Sequence, residues 1–222
     1  PQWGSASATQ TLVGLDYPLA RVLNAGCRRE IHAPLPNDEP LTVSTRLESI
    51  EDNGYRALLT MRIVTGTNSA PAALVPYMHA LVPYKKNEDK KPKDPARAPA
   101  DAREVGFSRL SAAAGLEFAK LTGDFNPIHW VPAYARMSGF KSCILHGFAT
   151  LAHAYEALVK NVFSGNTHPF STFEVRFTSP LLLPARVGTY LATDADGGDI
   201  ISVGDAPGGR AYLTGSFTRS ES

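Results

Sequence analysis

The sequence predicts an α+β fold in which short antiparallel strands pack against one long helix, with the pattern laid down twice along the chain. Three observations predict it. Gly147 to Lys160 is continuously amphipathic, with Phe148, Leu151, Ala152, Tyr155, Leu158 and Val159 on one face. Around it lie short runs rich in β-branched and aromatic residues, bounded by Gly, Pro, Asn and Asp. The order of these runs also recurs: helix, strand, Pro-Leu break, strand, Gly turn, strand, turn, strand. Pro34-Leu35 and Pro180-Leu181 hold the same place in the two halves.

In chain order, residues 1 to 11 are small and polar, as in a disordered tail or a strap. Asp16 to Gly26 reads as a short helix: Leu19, Val22 and Leu23 share a face and Gly26 ends it. Cys27 to His32 is extended until Pro34-Leu35-Pro36 interrupts it. Leu41 to Ile50 alternates, Asp52-Asn53-Gly54 forms a hairpin turn, and Tyr55 to Val64 returns. Ala72 to Val82 is the last strand of this half. From Tyr84 to Gly106, Lys85, Lys86, Lys90, Lys91 and Lys93 sit among Pro92, Pro95 and Pro99, the composition of a linker. Such a lysine cluster could meet a phosphate; a solvated linker accounts for it more simply.

Ser111 is placed to cap a helix running to Thr122, with Leu116, Ala119 and Leu121 or Lys120 at its turns and Gly123 at its end. Pro132 opens a short helix and Gly139 closes it. The Gly147 helix is about 21 Å long at the usual rise per residue. Phe173, Val175 and Phe177 then alternate with Glu174, Arg176 and Thr178 in a half-buried strand. Pro180 and Pro184 interrupt the chain. Three further strands follow, split by Asp196-Gly197-Gly198 and Pro207-Gly208-Gly209 and ending near Phe217.

Composition bounds the function. The 222 residues are 43% hydrophobic and 19% charged, with formal net charge +1. A globular protein is expected, without the broad field that attracts nucleic acid or a membrane surface. No apolar run approaches the roughly eighteen residues of a membrane helix, and no secretory leader is visible. Cys27 and Cys143 do not make a disulfide framework, which suggests a reducing, cytoplasmic setting. Cys143 reads as a small buried hydrophobe rather than a nucleophile.

Chemistry concentrates in Phe118-Ala-Lys-Leu-Thr-Gly-Asp-Phe-Asn-Pro-Ile-His129, continued by Cys143-Ile-Leu-His-Gly-Phe148. Pro127 forbids a smooth helix there and biases Asn126 toward an extended or turn conformation. The stretch from Asp124 to His129 is therefore a tight loop that can turn both side chains into one pocket. A carboxylate and an imidazole around one water form a general acid/base pair. Gly-Asp-Phe-Asn-Pro is also what an ordinary turn looks like. The catalytic reading gains from His129, which follows at once, and from His146-Gly147 at the start of an apolar helix. Asp-x-Asn opens like a calcium loop, but the later Gly and Glu of such a loop are absent, so no metal is expected.

The run Leu121-Thr-Gly-Asp-Phe-Asn-Pro-Ile-His129, with Ala135 six residues on and Leu145-His-Gly147 beyond, resembles the MaoC-like (R)-specific enoyl-CoA hydratases and 3-hydroxyacyl dehydratases. The resemblance covers roughly residues 107 to 218 well and the N-terminal half weakly. It implies a hotdog fold, a curved antiparallel sheet wrapped around a central helix. It also implies a thioester substrate on CoA or acyl-carrier protein, and no metal or redox cofactor. Joined to the repeat, it implies a double hotdog: a degenerate copy over residues 1–83, a linker over 84–106 and a catalytic copy over 107–222. The first half has no Gly-Asp-x-Asn-Pro-x-His, and Asn24-Ala25-Gly26 offers no acid/base pair. In such pseudo-dimers the inactive half commonly makes room for the acyl chain.

The implied reaction is syn addition of water across an α,β-unsaturated acyl thioester, or its reverse. Asp124 and His129 would hold the water and move protons, with Asn126 orienting the loop or the water. The N–H of Gly147, at the positive end of a helix, would meet charge developing on the thioester carbonyl. The glycine would also let a ligand approach the backbone. Asn126, His146 and Phe148 are expected at the substrate, although His146 also reads as a locally packed or hydrogen-bonded group. His153 is expected to be interior, His32, His79 and His168 have no acidic partner in this reading, and Trp130 and Tyr134 are expected to pack. Two departures stand out. Val131 replaces an Asp that many relatives carry as a helix cap, and Ala154-Tyr155 occupy the turn where some carry a supporting Ser. A hotdog thioesterase and a non-catalytic acyl-thioester binding subunit are the rival readings, and a monomer and a homodimer both fit.

Overall fold

A computed structural model describes residues 17–18, 22–85, 94–167 and 169–220. The chain divides into two compact units. One holds the chain through Asp94 with Phe170–Glu174; the other holds Pro95–Pro169 with Val175–Ser220.

The first unit contains β1 (Leu23–Ile31), β2 (Thr42–Asp52), β3 (Arg56–Gly66) and β4 (Leu74–Pro83), antiparallel in the order β2-β3-β4-β1. The β2–β3 hairpin turns where Asn53 Oδ1 accepts the amides of Tyr55 and Arg56, with Gly54 at a positive φ of 82°. Ala57, Leu59 and Met61 of β3 and Ala80 and Val82 of β4 form its core. Tyr17 and Tyr84 both donate to the Asp52 carboxylate beside that turn.

The helix expected to end at Gly26 is corrected by the structure. From Leu23 the chain is already β1, paired antiparallel with β4. Gly26, at φ 147°, sits at a bulge in that pairing, and its amide is held by Asn24 Oδ1 at 3.2 Å. The glycine that looked like a helix stop serves a strand bulge instead. Tyr17 and Pro18 of the expected helix are described and are not helical; Asp16 and residues 19–21 lie outside the described residues, as do residues 1 to 11.

The second unit opens with β5 (Arg103–Leu110) and α1 (Ala114–Thr122). A 3-10 turn (Pro127–His129), α2 (Pro132–Met137) and α3 (Gly147–Asn161) follow. Along the chain then come β6 (Phe170–Phe177), of which only Val175–Phe177 fall in this unit, β7 (Ala185–Thr193), β8 (Asp199–Gly204) and β9 (Ala211–Arg219), and the strand order is β6-β9-β8-β7-β5. Read from the strand before the Pro-Leu break, the two halves share one order: β1-β4-β3-β2 and β6-β9-β8-β7. The second adds β5 outside β7.

Helix α3 packs on β5, β7, β8 and β9. Its buried residues are Ala149, Thr150, Ala154, Leu158 and Val159, whereas Phe148, Leu151 and Tyr155 are half-buried and Ala152 is exposed. The buried line is thus rotated from the expected apolar stripe toward small residues. At one point the approach to the sheet is close: a Cβ on Gly106 of β5 would stand 2.6 Å from the Ala157 Cβ, so β5 carries no side chain there. The larger Leu158 and Val159 are buried elsewhere on the helix.

The composition-defined linker runs into β5, whose first residues are 103–106. Before it, the chain lies against the second unit: Ala98 donates to Gly209 O and Ala211 to Ala96 O, and Ala98 and Ala102 bury Tyr190. Lys86, Lys90, Lys91 and Lys93 lie outside the described residues. No described helix is long and apolar enough to cross a membrane.

Candidate active site

Helix α1 stops at Gly123, which adopts φ 76° while its amide returns to Ala119 O at 2.7 Å. The loop beyond is a relay of side chain-to-backbone turns. Thr122 Oγ1 accepts the Asp124 amide at 3.4 Å, Asp124 Oδ1 accepts the Asn126 amide at 3.3 Å, and Asn126 Oδ1 accepts the Ile128 amide at 3.3 Å. Pro127 then opens the 3-10 turn that ends on His129. Asn126 is accordingly the turn-maker of the loop. Trp130 braces it by donating to Phe125 O at 3.2 Å.

His129 is buried, at 8% exposure, and its Nδ1 lies 2.8 Å from the carbonyl oxygen of Ile144. A carbonyl can only accept, so Nδ1 carries the proton and Nε2 presents a lone pair. Burial pulls the imidazole down from 6.5 to about 4 against the pull of that hydrogen bond, and His129 is neutral at pH 7. A Cβ on Gly115 of α1 would collide with the His129 carbonyl oxygen, so a bare backbone there is what lets the 3-10 turn sit against α1.

His146 stands immediately before α3, at 3% exposure. Its Nε2 donates to the main-chain oxygen of Asp124 at 3.0 Å and lies 3.8 Å from the Asp124 Oδ2. Its ring stacks on that of His129, centroids 3.6 Å apart and planes 23° from parallel, and Phe118 of α1 meets it at 4.9 Å. Its Nδ1 is buried without a hydrogen-bond partner. Burial lowers its pKa as well. The Asp124 carboxylate is 57% exposed, so the site joins a solvent-facing acid to two buried, neutral imidazoles.

One ligand atom from each of Asp124, His129 and His146 falls within 4.8 Å of the others. That grouping does not suit a metal. His146 Nε2 already donates to the Asp124 main-chain oxygen and its Nδ1 is buried, so in this arrangement His146 offers no accessible lone pair to a shared ion.

Gly147 is the first residue of α3, and its amide lies in the turn where helix geometry supplies no partner. Its φ is not positive. A Cβ here would stand 2.6 Å from Phe177 Cδ2, and Phe148 meets the same ring edge-on at 5.7 Å. The expectation that the missing side chain leaves room for a ligand is therefore corrected: on the Cβ side that room belongs to Phe177.

Other expected residues fall away from this cluster. Tyr134 is exposed and His153 half-buried. Cys143 is buried, and its carbonyl accepts the Leu183 amide. His32 does have an acidic neighbour, Glu30 at 3.4 Å, and His79 meets Thr60 at 3.2 Å. His168 lies outside the described residues. The Val131 position makes no side-chain cap, and Tyr155 donates to Thr167 O at 2.7 Å. Four participants were missed: the Ile144 carbonyl, Phe118, Phe177 and Gly115. Only Gly115 left a signal, a glycine inside a helix where one costs about 1 kcal/mol.

Residues 90–202 match the sequence family described as "MaoC like domain". Among curated relatives, 3-hydroxyacyl-thioester dehydratase X of Mycobacterium tuberculosis is 27% identical over 94% of this chain and 73% of its own length. Peroxisomal enoyl-CoA hydratase 2 of Arabidopsis thaliana is 27% identical over 78% of this chain. The chain spans 60% of that relative, less than two thirds of its length. A MaoC-like dehydratase from Phytophthora capsici superposes with TM-score 0.74 at 25% identity, over 94% of this chain and 75% of that one. A Mycobacterium tuberculosis protein with a double hotdog fold superposes with TM-score 0.58 at 16% identity, over 98% of this chain and 79% of that one.

Proposed function

The chain belongs to the MaoC-like domain family and has the double hotdog fold. On that premise we propose that it is a hydro-lyase that reversibly adds water to trans-2-enoyl thioesters, giving (3R)-3-hydroxyacyl thioesters. The active copy is residues 107–222, and the thioester is carried by CoA or acyl-carrier protein. A reducing, cytoplasmic setting belongs to the same reading, supported by two cysteines that are both buried and free.

The observation that carries the proposal is the neutral His129, whose Nδ1–H is anchored on Ile144 O so that Nε2 is left as the base, with one of its ring nitrogens within 4.8 Å of an Asp124 carboxylate oxygen. In hydration, a water lies between the two. His129 Nε2 takes one of its protons as the water oxygen bonds to C3. The C2=C3 electrons shift toward the thioester carbonyl, and C2 then receives the proton on the same face. Asp124 accepts a hydrogen bond from the second O–H of the water and orients it; that hydrogen stays on the oxygen as the product's C3 hydroxyl. Charge on the carbonyl oxygen is met by the first-turn amide of Gly147, and Asn126 holds the loop in register.

Incubation with crotonyl-CoA tests the reading. Loss of enoyl absorbance with the thioester intact and a (3R) product is the expected result. Release of free thiol would make the protein a thioesterase. Binding without turnover across a series of acyl lengths would make it a non-catalytic acyl-thioester subunit.

A further inference from the structure

We propose that His146 is a positioning residue of this site: its ring edge holds the backbone of Asp124 and its ring face holds His129, so that acid and base keep one mutual geometry. The inference rests on the reading of Asp124 and His129 as the acid/base pair.

His146 occupies the N-cap position of α3, where a polar side chain ordinarily serves the free amides of its own helix. It makes no such bond. Nε2 reaches twenty-two residues back to the Asp124 carbonyl instead, at 3.0 Å. That acceptor fixes the tautomer, because the proton must sit on Nε2. The same N–H faces Asp124 Oδ2 at 3.8 Å and draws the carboxylate toward the imidazole pair. Stacked at 3.6 Å on His129 and touched at 4.9 Å by Phe118, the ring is held by two neighbouring rings. With Nε2 committed to the backbone and Nδ1 sealed from solvent, neither nitrogen is free to receive substrate. The ionisable groups against it are Asp124 from the loop and His129 from the 3-10 turn; Phe118 is its contact from α1. Protonation of both stacked rings would put like charges face to face. His146 thereby also helps hold His129 in its basic, neutral form, consistent with the lowered pKa of both groups.

Two variants separate the functions of the ring. His146→Phe keeps a flat ring against His129 but has no donor for Asp124. His146→Gln keeps an amide donor but loses the stack. Both are expected to lower kcat, the Phe variant by about 10²-fold, the scale of a small misplacement of reacting groups. KM should change less than about threefold. Imidazole ¹⁵N spectra of the wild-type protein should show His129 protonated at Nδ1 and His146 at Nε2, and in the variants the His129 signal should titrate at higher pH.

Normal kcat in a folded His146→Phe protein overturns the proposal. Raised KM with unchanged kcat overturns it too, by making His146 a substrate contact. If neither variant folds, the wild-type spectrum still decides, since His146 protonated at Nδ1 would contradict the Asp124 anchor. Turnover that survives His129→Ala sinks the underlying reading instead, a different result from an active His146→Phe beside an inactive His129→Ala.

Discussion

At His129 burial and a hydrogen bond pull in opposite directions, and burial wins. Loss of water disfavours the imidazolium, the Ile144 carbonyl favours it, and the group titrates at about 4 instead of 6.5. Between those two values the unfolded chain binds a proton that the folded chain refuses. Stability is therefore complete above about pH 6.5 and falls as pH drops toward 4, by on the order of 3 kcal/mol for this group alone. The shift of His146 has the same sign. His129→Ala should lose less stability than the wild type when denaturant melts at pH 7 and pH 5 are compared. The same substitution, and Asp124→Asn, should each lower kcat by about 10²- to 10⁴-fold. Equal acid sensitivity in both proteins would move the proton-refusing group elsewhere.

At the scale of the element, the start of α3 carries the proposed oxyanion donor and a packing constraint at one residue. Gly147→Pro removes the N–H, but it also adds a Cβ 2.6 Å from Phe177 Cδ2. Gly147→Ala adds the same Cβ and keeps the donor, so the comparison that isolates the donor is proline against alanine. Making both in a Phe177→Leu background relieves the shared clash. The proline variant should then have about 10²- to 10³-fold lower kcat than the alanine variant, the worth of one oxyanion donor. Circular dichroism must first show both folded, since proline also restricts His146. Matching kcat values would transfer the carbonyl contact to another group.

For the whole molecule, two units with the same strand order carry unequal chemistry. Among the described residues, three potential ligand groups gather only at Asp124, His129 and His146, all in the second unit. Calorimetric titration with a tight, unreactive acyl-thioester analogue should give one site per chain. Two equivalent sites would contradict a degenerate first copy.

Local physics made much of this legible in advance. Turn chemistry at Asp52-Asn53-Gly54, at Gly123 and at Pro127 acts within a few residues, and period-two alternation marks β2 and β6 without knowledge of their partners. The acid, the amide and the imidazole of the loop were readable for the same reason. Where partners lie far along the chain, the sequence was silent or misleading. Gly26 became a bulge because β4 pairs with β1. The buried face of α3 was chosen by its packing on β5, β7, β8 and β9. The tautomer of His129 depends on a carbonyl fifteen residues away, and that of His146 on one twenty-two residues away. Such choices are decided by which surfaces meet, and a linear pattern of residue types does not encode that meeting until the chain has folded.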